Sequence, residues 1–155
     1  MPISRRYELL GWAAKGEGKY IIEDDYDSEL RLGGKPIPTL QSIDISEKVI
    51  YMNTFTKTLA STVRISYMIL PRPLLEQFYQ KLSFYSCTVS NFEQYTLDLF
   101  IKEGYFEKHI NRLRNYYQNK KNGFLSAIWD SGLHKCVEIS GEEAGVHFLM
   151  KLKTE

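Results

Sequence analysis

Lys57 lies in the run Asn53-Thr54-Phe55-Thr56-Lys57-Thr58-Leu59-Ala60, with Arg64 seven residues further on and Asp24-Asp25-Tyr26 upstream. An amine flanked by short hydroxyl side chains can attack a carbonyl while its neighbours hold an anion. A guanidinium forks onto phosphate oxygens, and threonine hydroxyls donate to the same atoms. A carboxylate set against a heterocyclic nitrogen keeps it protonated, because the opposite charge favours the charged form. A nearby phenol can bond a ring oxygen. Taken singly, Lys57 and Arg64 read as surface cations, Asp24 as a strand-end acid, Tyr26 as a packing residue, and Thr54 and Thr56 as ordinary strand threonines. Their joint spacing is the signal.

The elements that must position these residues are short strands. Tyr20 to Asp24 is an apolar run closing on acids, Val49 to Thr54 is a second strand, and Arg64 to Leu70 a third, ended by Pro71 and Pro73. Side chains alternate along a strand, so Asp24 and Tyr26 can face one side. Ligands of open α/β sheets sit beyond the carboxyl ends of the strands. Asp24 ends one strand and Lys57 follows another, so one crevice can take both. Pyridoxal phosphate offers what the set asks for: an aldehyde for Lys57, a phosphate for Thr54, Thr56 and Arg64, and a ring nitrogen and phenolic oxygen for Asp24 and Tyr26. A nucleophilic lysine needs its pKa lowered by burial or neighbouring cations, and Arg64 could supply part of that.

Around this core the chain reads as strands with a helix, then helices, then strands. Ser4 is the expected N-cap of a first helix that Gly16 and Gly18 end, and a loop follows with Gly33-Gly34, Pro36 and Pro38. Leu74, Leu75, Phe78, Tyr79 and Leu82 share a helical face. Ser90-Asn91-Phe92-Glu93 has the form of a capping box for a helix that Gly104 closes. Phe106, Ile110, Leu113, Tyr117, Phe124 and Ile128 predict one long amphipathic helix, weakened near Gly123. Val137 to Ile139 and Val146 to Leu152 predict two strands around a turn from Ser140 to Gly145. Three strands and one helix before Pro73 cannot cover both faces of an α/β sheet. The chain therefore reads as a segment of a longer protein.

Bulk properties narrow the rest. A net charge of +1 in 155 residues gives no global case for nucleic-acid or membrane binding. Cys87 and Cys136 have no metal spacing or paired framework, and no apolar run reaches the roughly 18 residues of a spanning helix, so a cytoplasmic location is expected. His109, His134 and His147 are scattered, and the acids Glu23, Asp25, Asp27 and Glu29 have no histidine beside them, so no metal is expected. The basic stretches at Arg112-Leu113-Arg114 and Asn119-Lys120-Lys121 suit a solvated helix face. Gly33-Gly34 lacks a phosphate-loop frame.

Four stretches carry a resemblance: Pro2-Ile3-Ser4-Arg5-Arg6 with Glu8-Leu9-Leu10, Ile22-Glu23-Asp24-Asp25-Tyr26-Asp27-Ser28-Glu29, Thr54 to Ala60, and Arg64 with Tyr67. Together they resemble fold type I pyridoxal-phosphate enzymes, and in particular the aminotransferase-like domain of MocR-type regulators in the GntR superfamily. The resemblance is fainter through Gly141 to Phe148, which looks like the start of a small-domain sheet. It implies that Lys57 forms the internal aldimine, Asp24 pairs with the pyridinium nitrogen, Tyr26 bonds the ring hydroxyl, and Thr54, Thr56 and Arg64 hold the phosphate. Where the family often has serine around the lysine this chain has threonines, and Ser61 and Ser66 replace a frequent proline and glycine.

The implied architecture is the late part of a large α/β domain over residues 1–73, connecting helices with a long interdomain helix over 74–130, and the start of a small α+β domain over 131–155. The implied function is to sense a small amine or amino acid, as a homodimer, with DNA bound only by a winged-helix domain outside this chain. Two other readings stand beside it. One is a free-standing aminotransferase moving an amino group between an amino acid and a 2-oxo acid. The other is a packing or dimerisation fragment that binds no cofactor. Transamination belongs to a longer parent and is not expected of these 155 residues alone.

Overall fold

A computed structural model of the chain describes residues 1–33, 37–141 and 146–153. Two compact units emerge. One comprises Met1–Tyr26 with Pro36–Ser90, the other Asp27–Lys35 with Asn91–Glu155. Among the described residues, no helix is long and apolar enough to cross a membrane.

The first unit is built on a mixed three-stranded sheet: β1 (Ile21–Asp24), β2 (Val49–Thr54) and β3 (Ser66–Ile69), in that order. β1 runs parallel to β2, with Ile21 opposite Val49 and Asp24 opposite Met52. β3 returns antiparallel, with Thr54 opposite Ser66 and Met52 opposite Met68. The two faces differ sharply. Val49, Tyr51 and Asn53 are buried on one, as are Ala13, Leu40 and Thr58 elsewhere in the unit. On the other, Ile22 is 66% exposed, Met52 38% and Met68 47%.

Helix α1 (Ile3–Ala14) precedes the sheet. It begins one residue before the expected cap: Pro2, with φ −58°, takes the N-cap position and Ser4 falls inside the first turn. Proline is suited there because it has no N–H to leave unsatisfied and its φ is preset. From α1, Arg6 reaches the Pro38 carbonyl at 2.6 Å and lies 3.7 Å from Glu23. The Glu23 carboxylate accepts from the N–H groups of Leu40 (2.8 Å) and Gln41 (3.0 Å), tying β1 to the short 3-10 turn Gln41–Ile43. Asp44 then accepts from the N–H groups of Ser46, Lys48 and Val49, organising the entry to β2 around Glu47, whose φ is +53°. Pro71 and Pro73 end β3 as expected and also open α2 (Arg72–Leu82).

The second unit contains α3 (Asn91–Lys102), α4 (Tyr105–Asp130) and an antiparallel pair, β4 (Val137–Ser140) with β5 (Leu149–Leu152). Ser90 stands immediately before α3, where the capping pattern puts it. Gly104 separates the two helices at φ +71°, a left-handed position that favours glycine. The long helix runs its 26 residues straight through Gly123. Leu30, 1% exposed, belongs to a 3-10 turn (Ser28–Leu30) that packs against α4, where Arg114 Nε donates to the Glu29 carbonyl at 2.6 Å. The last strand is shorter than the sequence suggests, beginning at Leu149, and Phe148 just before it packs on Phe124, with ring centroids 5.4 Å apart. Gly34 and Pro36 of the expected loop, and residues 142–145 of the expected turn, lie outside the described residues.

Glu23→Ala should lower the unfolding free energy by about 3 kcal/mol, because it removes two charge-assisted hydrogen bonds and leaves the Arg6 guanidinium, only 14% exposed, without its carboxylate. Urea denaturation checks this. A loss below about 1 kcal/mol would show that water replaces Glu23 at these amides.

Candidate functional site

Because β1 and β2 are parallel, with Asp24 opposite Met52 and β2 running two residues further to Thr54, their carboxyl ends lie at one end of the sheet. Asp24, at the last position of β1, is on the uncovered face, and so by alternation is Thr54 at the end of β2. Beyond β2 the backbone makes a single helical turn, with the Leu59 N–H bonded to the Phe55 carbonyl at 2.8 Å, and Lys57 sits on that turn. Thr58, 1% exposed, anchors the turn from below, its hydroxyl 3.4 Å from the Phe55 carbonyl.

A recess of about 380 Å³ opens at this end of the sheet. Asp24, Tyr26, Thr54, Thr56, Lys57 and Arg64 all line it, together with Met52, Asn53 and Ser66. All the side chains singled out from the sequence thus meet in one cavity. Lys57 Nζ lies 4.7 Å from the centroid of the Tyr26 ring, a cation–π contact that joins the turn after β2 to the segment after β1. Among the described residues neither Lys57 nor Arg64 has a carboxylate partner, so the recess holds two uncompensated cations beside a single lining carboxylate.

The threonines do more than line the cavity. The Thr56 hydroxyl donates to the Val63 carbonyl at 2.9 Å. The Thr54 hydroxyl lies 3.2 Å from the Ile65 carbonyl and 3.0 Å from Thr56 Oγ1, and it accepts from the Thr56 N–H at 3.2 Å. These two carbonyls flank Arg64. The hydroxyls therefore staple the returning loop and set where the guanidinium starts from. Each hydroxyl has one proton, so an anion in the recess competes with these carbonyls for it.

Three lining residues carry no signal in the spacing: Met52, Asn53 and Ser66. Met52 and Ser66 follow from alternation and register, since both face the same side as Thr54. Asn53 faces the covered side, where its Nδ2 donates to the Tyr51 hydroxyl at 2.9 Å. Burial, together with the neighbouring Asp25 carboxylate and despite the Asn53 hydrogen bond, holds the Tyr51 phenol well above its ordinary pKa. The Tyr67 ring completes this layer, 6.2 Å from Tyr51 and 5.5 Å from Phe55 between centroids. Among the described residues no cluster of His, Cys, Asp and Glu could hold a metal ion.

The donor set suits pyridoxal phosphate: an amine, a guanidinium and two hydroxyls for an aldehyde and a phosphate, a carboxylate and a phenol for the polar edge of a pyridine ring.

Comparison with known proteins bears on the sequence and the fold. No family model matches the chain. The uncharacterized HTH-type transcriptional regulator YdeL of Bacillus subtilis is 48% identical over 150 residues, which is 97% of this chain and 32% of that protein. The probable rhizopine catabolism regulatory protein MocR of Rhizobium meliloti is 37% identical over 132 residues, 85% of this chain and 27% of its own length. Among solved structures, the α-aminoadipate aminotransferase LysN of Thermus thermophilus, complexed with N-(5'-phosphopyridoxyl)-L-leucine, superposes with a TM-score of 0.78 at 25% identity, covering 97% of this chain and 39% of that one. The chain spans about a third of the length of the curated regulators it matches. Over most of its length the chain is thus homologous to part of MocR-type helix-turn-helix regulators, and its α/β fold matches part of the fold type I pyridoxal-phosphate aminotransferases.

Proposed function

We propose that this chain holds pyridoxal phosphate through Lys57, as part of a regulator whose aminotransferase-like domain senses a small amine or amino acid. The observation that carries the proposal is the convergence of Asp24, Tyr26, Thr54, Thr56, Lys57 and Arg64 on one recess. When bound, the cofactor supplies an aldehyde that takes up amines and a protonated ring that withdraws electrons from them. Lys57 is the amine that meets the aldehyde. Asp24 keeps the ring nitrogen protonated by charge, and Tyr26 donates to the ring oxygen. Arg64 forks onto the phosphate, with Thr54 and Thr56 offering hydroxyls beside it.

The likeness to transcriptional regulators favours the regulator reading, and the likeness to LysN favours a second one, a free-standing aminotransferase. Both use Lys57 in the same way. A helix-turn-helix segment encoded upstream of Met1 in the same reading frame supports the regulator; a gene without one overturns it. Homodimerisation is part of the proposal. The uncovered sheet face and exposed aromatics of the same unit, such as Tyr79 (62% exposed) and Phe84 (74%), are what it has to satisfy. Light scattering that finds a monomer counts against it.

Lys57→Ala should abolish the adduct that borohydride fixes after loading with pyridoxal phosphate, while circular dichroism stays as in the unsubstituted protein, since Lys57 is exposed and its cation–π contact with Tyr26 lies at the surface of the recess. Peptide mapping decides this, and an adduct on another lysine rejects the assignment. Arg64→Ala should weaken cofactor affinity about tenfold, through loss of the charge-assisted fork; unchanged affinity removes Arg64 from the site. Thr56→Val should cost about 1 kcal/mol of stability by freeing the Val63 carbonyl, with Thr56→Ser close to neutral. Urea midpoints at unchanged slope test this pair.

A further inference from the structure

Behind the recess, on the covered face of the sheet, a chain of hydrogen bonds runs from β2 to the end of β1. The Thr54 N–H donates to Asn53 Oδ1, Asn53 Nδ2 donates to the Tyr51 hydroxyl at 2.9 Å, and the Tyr51 hydroxyl donates to Asp25 Oδ2 at 3.0 Å. Proton counting sets its direction. A carboxylate only accepts, so the one phenolic proton of Tyr51 goes to Asp25. The phenol oxygen must then accept, which turns the NH₂ group of Asn53 toward it and leaves Oδ1 for the Thr54 N–H. Burial keeps the phenol protonated. Asn53 is 4% exposed and Tyr51 8%, so a missing link in this chain is not readily replaced by bulk water.

The two ends of the chain are what matter. Asp25 sits between Asp24 and Tyr26, and Thr54 opens the run that leads to Lys57. The regular ladder between β1 and β2 stops at Asp24 opposite Met52, with one further main-chain bond from the Asp25 N–H to the Met52 carbonyl at 2.9 Å. Beyond it, the side-chain relay through Tyr51 and Asn53 spans the two strand ends from beneath. A pyridine ring carrying a phosphate is a rigid ligand, and its affinity depends on how well the groups at its two ends are held in advance.

Resting on the reading that the recess holds pyridoxal phosphate, we propose that Asp25, Tyr51 and Asn53 are positioning residues that fix the spacing between Asp24 and Tyr26 on one side and Thr54, Thr56 and Lys57 on the other. None of the three needs to touch the cofactor through its side chain. They act on the strand ends that do.

The experiment uses the full protein with pyridoxal phosphate as the probe. Tyr51→Phe deletes only the hydroxyl and keeps the ring beside Tyr67; Asn53→Asp keeps the size but gives Tyr51 a second acceptor in place of a donor. Both should raise the cofactor Kd about tenfold and shift or broaden the visible absorbance band of the bound cofactor. Asp44→Ala, which removes the acceptor of the Ser46, Lys48 and Val49 N–H groups at the opposite end of β2, weakens the same unit away from the recess and is the control: it should lower the melting temperature and leave the band in place. A band and Kd in Tyr51→Phe and Asn53→Asp that move no further than in Asp44→Ala make the relay merely structural and overturn the inference. Unsubstituted protein that borohydride does not label on Lys57 overturns the cofactor reading itself, and the inference with it. Labelling on Lys57 with an unmoved band rejects the inference alone.

Discussion

The parallel register of β1 against β2 is the constraint on which the rest of the structure depends. With Ile21 opposite Val49 and Asp24 opposite Met52, β1 ends two residues short of the end of β2 at Thr54, and whatever follows each must share one end of the sheet. A slip of one residue would turn Asp24 toward the covered face and carry Glu23 to the open one. Glu23 cannot make that exchange cheaply. Its carboxylate is held by the Leu40 and Gln41 N–H groups and lies near Arg6, on the side where Val49 and Tyr51 are buried. The pairing of Glu23 with these groups thus secures the exposure of Asp24. Adjacent acids in one strand have opposite fates because the pleat alternates.

The second ladder adds the cations. Because β3 returns antiparallel, with Thr54 opposite Ser66, the loop between them is closed at the same sheet end and presents Arg64 there. Main-chain pairing continues one step past the strands, from the Phe55 N–H to the Ile65 carbonyl at 2.9 Å. The threonine hydroxyls then take over, bonding the carbonyls on either side of Arg64. A residue type chosen for an anion in the sequence reading is, in this structure, also a fastener of the backbone. The two roles are compatible because a hydroxyl rotates about its C–O bond and can change partner without moving its oxygen.

What could be read from the sequence follows from periodicity and punctuation. The three strands, the long helix to Asp130 and the left-handed glycine before it are local features, set by alternation, a 3.6-residue repeat and the absence of a Cβ. The convergence of the lining residues was legible for a related reason: each lies within two or three residues of a strand end. Ser4 misled because side-chain capping is one of two ways to start a helix, and Pro2 supplied the other. The relay through Asn53, Tyr51 and Asp25 was not legible. Asn53 is on the face opposite Thr54, and hydrogen bonds across strands depend on register, which no spacing within one strand reveals. The dual role of the threonines was hidden likewise, since Val63 and Ile65 contribute only main-chain oxygens.

A lysine that attacks a carbonyl has to be neutral, and burial is the usual route to that state. Lys57 is exposed here, as are Asp24 and Arg64, and the apolar face beside them, with Ile22, Met52 and Met68, is open. These facts belong together. Covering Ile22, Met52 and Met68 would remove water from the neighbouring recess and strengthen the charge interactions inside it. On the proposed function, then, the sheet face supplies more than stability. Closing it is the step that would convert a set of correctly placed but hydrated groups into a site with reactive electrostatics, and cofactor capture and burial of that face should be coupled.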